Sequence, residues 1–227
     1  MMTIIKYDMN IPGYMVDIQL RMLANHVHHN VPVNGNILEL GACMGRTTVA
    51  LAENCHPSVT IHTVDFWGDL TGFHVDDLRR SLIRSGSFVA GDWKKLIVEK
   101  LVPPRGYDPK IYRPAEWVLK GDDVYAIWQN NTSRYGNVIG YRDNTQLIDT
   151  EQFPDFDFIL VDASHDYAGV ETELNRWWPK LKSGGTMMID DYDPQRFPAQ
   201  YSAVNDFFID RDVRKTDRRQ QFLIKKP

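Results

Sequence analysis

Short hydrophobic runs of strand length alternate along this chain with longer stretches whose apolar residues recur at helical spacing. Met15, Ile18, Met22, Leu23 and Val27 recur every three or four positions, which predicts an amphipathic helix over about 15–29 ahead of the core. A strand over Ile37 to Leu40, a helix over Gly45 to Asn54 and a second strand over Thr60 to Phe66 follow. Together they make a βαβ unit of about 30 residues, the size of a parallel crossover. The rhythm resumes later with a helix over Val124 to Thr132 and strands over Asn137 to Arg142 and Phe156 to Ala163. A helix over His165 to Leu181 carries Val170, Leu174, Trp177, Trp178 and Leu181 on one face, and Ser183-Gly184-Gly185 is expected to end it. A strand over Gly185 to Asp191, a helix over Gln200 to Ile209 and a last strand over Gln221 to Lys225 complete the pattern. Alternating strands and helices predict an α/β fold, a doubly wound, mostly parallel sheet with helices on both faces.

One region breaks the rhythm. Asp76 to Ser85 reads as helix, but about 86–131 mixes Trp93, Tyr107, Trp117 and several prolines with charges and shows no period. It is an irregular aromatic insertion that could serve as a lid over an acceptor, a contact in a homo-oligomer, or added core.

Composition changes the picture in three ways. With 227 residues, 43% hydrophobic, residues 1–227 can bury one sizeable core, so a single domain is expected. A formal net charge of -4 gives no footprint for nucleic acid or an anionic membrane. The C-terminal run RDVRKTDRRQQFLIKK is locally basic but alternates with acids, which predicts a solvated edge hairpin. Cys43 and Cys55 have neither zinc spacing nor a disulfide framework, and no run approaches the roughly 18 apolar residues of a membrane helix. A reducing, cytoplasmic setting is the expectation.

Two polar clusters end the predicted strands. Gly41-Ala-Cys-Met-Gly45 lies between a strand and a helix, where exposed amides at a helix start would face a ligand. A dinucleotide fingerprint would place glycine at Cys43; the pattern here is E-x-G-x-x-x-G from Glu39, suited to a cofactor with an amino-acid carboxylate rather than a diphosphate. Asp65 ends the second strand, where it can accept hydrogen bonds from ribose hydroxyls, and Phe66 or Trp67 can pack on an adenine face. The alternative is a tight turn whose glycines serve packing alone. Asp162 ends one later strand, and Asp190 and Asp191 end the next. Three carboxylates at neighbouring strand tips repel one another unless a cation or protons compensate, and oxygen ligands favour Mg²⁺ or Mn²⁺. His165 stands three residues beyond Asp162 as a proton acceptor for a substrate hydroxyl, or else caps the helix with Asp166. The remaining histidines read as structural or solvent-facing.

With these residues in view, the chain resembles a class I S-adenosylmethionine-dependent methyltransferase, nearest the group of cephalosporin-biosynthesis and macrolide-sugar O-methyltransferases. ILELGACMGRTT resembles the first cofactor motif, TVDFWGD the acid-ending second strand, and DFDFILVDASHDYAGVETELNRWWPKLKSGGTMMIDDYD a long block typical of that group. The resemblance spans Gly13 to Phe208 apart from the insertion. It implies a seven-stranded Rossmann-like sheet, with Glu39, Gly41 and Gly45 at the methionine moiety and Thr47 and Thr48 near its carboxylate. Asp65 and Phe66 would hold the nucleoside, a residue of Asp143-Asn144-Thr145, taken as Asn144, would border the adenine, and Asp162 would close the cofactor side. The resemblance further implies a metal on Asp162, Asp190 and Asp191. Related catechol-type enzymes carry an amide at the position of Asp191 and a catalytic lysine at that of His165. The expected activity is metal-assisted O-methylation of a small hydroxylated molecule, a sugar or natural-product intermediate, with no nucleic acid or membrane partner. Two other classes compete: a nicotinamide-dependent oxidoreductase, disfavoured by Cys43, and a non-catalytic nucleoside-binding module.

Overall fold

A computed structural model describes residues 5–11, 13–67, 124–211, 213–218 and 220–227. The helix expected over Asp76 to Ser85 and the insertion up to residue 123 lie outside the described residues.

Helix α1 (Asp17–Asn30) leads into β1 (Asn36–Leu40), α2 (Arg46–Asn54) and β2 (Thr60–Asp65). After the undescribed stretch come α3 (Val124–Thr132), β3 (Val138–Arg142), a short 3-10 turn at Thr150–Gln152 and β4 (Phe156–Val161). Then follow α4 (Tyr167–Trp177), β5 (Leu181–Ile189), α5 (Pro198–Phe208), β6 (Arg214–Arg218) and β7 (Gln221–Lys225). The seven strands form one sheet in the order β3-β2-β1-β4-β5-β7-β6, with β1 to β5 parallel and β7 antiparallel to both neighbours. The chain winds outward from β1 to β3, then crosses back to place β4 beside β1. That reversal makes the carboxyl ends of β1 and β4 the switch point, where open sheets of this kind hold ligands.

Side-chain alternation builds the three layers. Along β4, Phe158 and Leu160 face one side and Ile159 and Val161 the other. On the first side they meet Leu20, Leu23 and Val27 of α1 and Ala50 and Leu51 of α2. The second side packs on Val170, Leu174 and Trp177 of α4 and Ala203, Val204, Phe207 and Phe208 of α5. Because both faces are covered, the central strands read as unbroken hydrophobic runs rather than alternating ones. A third cluster joins Trp128 of α3 to Trp67 and to Ala42 and Met44 of the turn after β1. No helix among the described residues is long and apolar enough to cross a membrane.

Two sequence expectations are corrected. The helix expected to reach Leu181 stops at Trp177, because Pro179 has no N–H to continue the ladder. Ser183-Gly184-Gly185 therefore lies within β5 rather than ending a helix. There Phe156 pairs with Leu181 but Phe158 with Thr186, an irregularity that absorbs the extra residues. The expected hairpin forms, β6 pairing antiparallel with β7, but it is not solvated throughout: β7 lies between β5 and β6 with Gln221 and Ile224 fully buried, and β6 forms the edge.

Phe158→Ala removes a fully buried ring from the face packed by α1 and α2, and should cost about 3–5 kcal/mol in urea unfolding. Ile139→Ala, on edge strand β3 where the side chain is 43% exposed, should stay within about 0.5 kcal/mol.

Candidate active site at the carboxyl edge of the sheet

Gly41 leaves β1 with φ +85°, and a Cβ there would stand 2.2 Å from the carbonyl oxygen of Asp162. The tips of β1 and β4 thus touch backbone to backbone, held also by the Asp162 amide donating to Leu40 O at 2.9 Å. Only glycine fits, for both space and conformation. The packing role considered for the turn is real, and it joins the glycine bend to the acid that ends β4.

Asp65, at the tip of β2, clasps the same bend. Its Oδ2 accepts from the amides of Ala42 and Cys43, both at 2.8 Å, and its Oδ1 accepts from Trp67 N at 2.7 Å. Three non-glycine residues in the left-handed region cluster at these tips: Cys43 (φ 49°), Trp67 (φ 39°) and Asp191 (φ 55°). Each carries roughly 1–3 kcal/mol of strain that the surroundings must hold. For Trp67 the restraint is visible: its indole donates to Cys43 O at 2.8 Å and packs on Tyr125 and Trp128. Phe66 beside it is 66% exposed, an aromatic face open to a ligand. Burial pushes the Cys43 thiol up to about 12, so it stays protonated and is no nucleophile.

The cofactor residues expected around the bend divide. Gly41, Asp65, Phe66 and Asp162 share the rim, and Gly45 (φ 93°) ends the bend against Trp128. Thr48 is fully buried, its hydroxyl donating to Glu39 Oε2 at 2.6 Å and accepting from Trp128 Nε1 at 3.1 Å. Glu39, also fully buried, takes a second hydroxyl from Thr63 at 2.9 Å, and its other oxygen has no hydrogen-bond partner. Thr47 is buried too. Glu39 and Thr48 therefore form a support beneath the bend, Glu39 at an inward position of β1 that takes hydroxyls from α2 and β2. Burial raises the Glu39 carboxyl to about 7 against the threonine donors. Asn144 is half-buried and spends its Oδ1 on Gln146 N at 2.8 Å, shaping its own loop.

At the second wall the acids separate. Donor atoms of Asp162, His165 and Asp191 lie within 4.8 Å of one another. His165 Nε2 is 3.0 Å from Asp191 Oδ2, and the ring packs on Phe197. Burial works against a charged imidazole, but the hydrogen bond and charge of Asp191 outweigh it and raise the His165 pKa. Burial, then the charges of Asp190 and Asp191, push the Asp162 carboxyl well above the usual carboxylate range. Asp190 is not in the donor group. Successive residues leaving an extended strand point to opposite sides, so Asp190 turns toward α1 and is 3.2 Å from Gln19 Nε2. Of the three acids expected to hold a metal, Asp162 and Asp191 share this group with His165, and Asp190 lies outside it.

Sequence reasoning passed over Glu173. This fully buried residue of α4 takes hydroxyls from Thr145 at 2.5 Å and Ser164 at 2.7 Å on one oxygen, Oε1. The signal was present: an acid lying three residues after Val170 and four before Trp177 sits on the apolar stripe of its helix.

Residues 38–192 match the model of a family described as methyltransferase domain. Among curated proteins none matches. Solved structures share the fold. The O-methyltransferase NovP is 15% identical, with a TM-score of 0.57 over 92% of this chain and 79% of that one. An O-methyltransferase from Bacillus cereus in complex with S-adenosylhomocysteine is 16% identical, with a TM-score of 0.54 over 95% of this chain and 83% of that one. An rRNA methylase from Streptococcus thermophilus is 10% identical, with a TM-score of 0.54 over 95% of this chain and 99% of that one.

Because the folded Glu39 pKa lies near 7, against about 4.3 in an unfolded chain, the folded state binds the extra proton between those values. Its contribution is complete below about pH 4 and is lost as pH rises through 7. Glu39→Gln should therefore gain on the wild type by about 3 kcal/mol between pH 4 and 8 in denaturant titrations; parallel profiles would contradict the assignment.

Proposed function

The chain belongs to the methyltransferase-domain family and is a class I S-adenosylmethionine-dependent methyltransferase; from that premise we propose that it methylates a hydroxyl oxygen of a small molecule, such as a sugar or a natural-product intermediate. The observation that carries this reading is the Asp191–His165 pair standing on the rim beside Asp162, whose backbone touches the glycine bend. When bound, S-adenosylmethionine supplies an electrophilic methyl group, so the protein must align the acceptor and make it nucleophilic. Asp65 and Phe66 supply what a nucleoside needs, a carboxylate for ribose hydroxyls and an open aromatic face. The bend provides close backbone approach for the amino-acid end.

His165 is placed to take the acceptor proton. Asp191 orients the imidazole through Nε2 and stabilises its charge once the proton arrives. A divalent cation suits the carboxylates of Asp162 and Asp191, which leaves the second ring nitrogen of His165 free to take the proton. The cation would offset the charges of Asp190 and Asp191 that add to burial in raising the Asp162 pKa, and would acidify a bound hydroxyl. A net charge of -4 favours a small acceptor over RNA.

Calorimetry should find S-adenosylhomocysteine bound and NAD⁺ not bound, and a panel of hydroxylated sugars and phenols should include an O-methylated product. His165→Ala should lower turnover on that acceptor by about 10²–10⁴-fold while the S-adenosylhomocysteine Kd stays nearly unchanged. Equal loss of both would contradict the base role, and methylation of an rRNA transcript alone would overturn the small-molecule reading. In Mn²⁺ titrations followed by electron paramagnetic resonance, Asp191→Asn should abolish binding and Asp190→Asn should retain it.

A further inference from the structure

One buried carboxylate touches both walls of the cleft. Glu173 lies in the third layer, away from the rim, and is fully buried. Its Oε1 accepts the hydroxyl of Thr145, in the loop after β3, and the hydroxyl of Ser164, which sits between Asp162 and His165. Both loops receive a second tie. One turn along α4, the indole of Trp177 donates to the Thr145 carbonyl at 2.9 Å, and Gln146 Nε2 donates to Ser164 Oγ at 3.0 Å. The other oxygen of Glu173 is buried with no hydrogen-bond partner. An acid placed so costs burial energy that an apolar residue on the same stripe would not. What it contributes is a single acceptor point that fixes two loops against each other.

We propose that Glu173 is a positioning residue that holds the nucleoside-side loop and the His165-bearing loop in one register, so that cofactor binding and placement of the base depend on the same carboxylate. This rests on the methyltransferase reading of the site. The role belongs to the acceptor atom Oε1 and not to the charge of the group, because both hydroxyls converge on that one oxygen. Thr145 lies on the cofactor side, and Ser164 lies on the base side with a second tie of its own to the cofactor-side loop through Gln146.

Two readouts separate the walls: the calorimetric Kd for S-adenosylhomocysteine, and the imidazole ¹⁵N signals of His165 by NMR. Thr145→Val should weaken S-adenosylhomocysteine binding about five- to tenfold, the size of one lost hydrogen bond, and leave the His165 signals in place. Ser164→Ala should shift the His165 signals; because it also removes the Gln146 tie, its Kd is compared with that of Gln146→Ala and should agree with it within about twofold, well under the effect of one lost hydrogen bond. Glu173→Ala should move both, and Glu173→Gln, which keeps an oxygen at the acceptor position, should restore both. The proposal is overturned if Glu173→Ala lowers Tm yet leaves the two readouts at wild-type values, or if Glu173→Gln fails as badly as Glu173→Ala. Should Glu173→Ala not fold, the single-wall variants decide: unmoved readouts in both Thr145→Val and Ser164→Ala overturn it equally. Failure of the wild-type protein to bind S-adenosylhomocysteine would instead strike the reading on which the proposal rests.

Discussion

The close approach of two strand tips organises this molecule. Where β1 and β4 meet at the reversal of strand order, Gly41 leaves no room for a side chain against the Asp162 carbonyl. That contact brings the start of the cofactor bend and the first acid of the second wall within one backbone thickness. Asp65 then clasps the bend from the β2 side through two amides, and Trp67 and Trp128 of α3 pack with Ala42 and Met44 of the bend in one cluster. The strain at Cys43, Trp67 and Asp191 is concentrated where the chain must turn sharply at three neighbouring tips. Such strain persists because the sheet beneath is packed on both faces and cannot relax around it.

Electrostatics follow from that geometry. Glu39, Asp162, Asp190 and Glu173 are acids drawn out of water near one sheet edge, and each has its carboxyl pKa raised, first by burial. The protein settles them in different ways. Glu39 rests on threonine hydroxyls, Asp190 faces Gln19, Glu173 gathers two loop hydroxyls, and Asp162 stays with His165 and Asp191 on the rim. A sheet edge built this way holds its charge in a few aimed groups instead of a diffuse negative field.

Most of the fold could be read in the sequence because parallel strands buried on both faces declare themselves as hydrophobic runs, and the helices α4 and α5 carry apolar residues at helical spacing. The end of α4 is set by Pro179, five and six residues ahead of the glycines that look like its stop in the sequence. Of the site, strand-end acids were legible because a polar residue after a buried run has one place to go. What a linear reading missed was direction. Asp190 and Asp191 are neighbours in sequence but leave the strand on opposite sides, and Thr48 belongs to a helix face turned toward Glu39. Glu173 escaped notice because its partners, Thr145 and Ser164, are brought to it only by the tertiary fold.

The central claim is that the glycine bend and the Asp162 rim line one cleft that holds the methyl donor. A crystal structure of the S-adenosylhomocysteine complex tests it most directly. The account predicts ribose hydroxyls on Asp65, adenine between Phe66 and the loop at Asn144, and the sulfur directed toward the Asp162–His165 rim. Ligand bound elsewhere, or bound at the bend with its sulfur turned away from that rim, would contradict it.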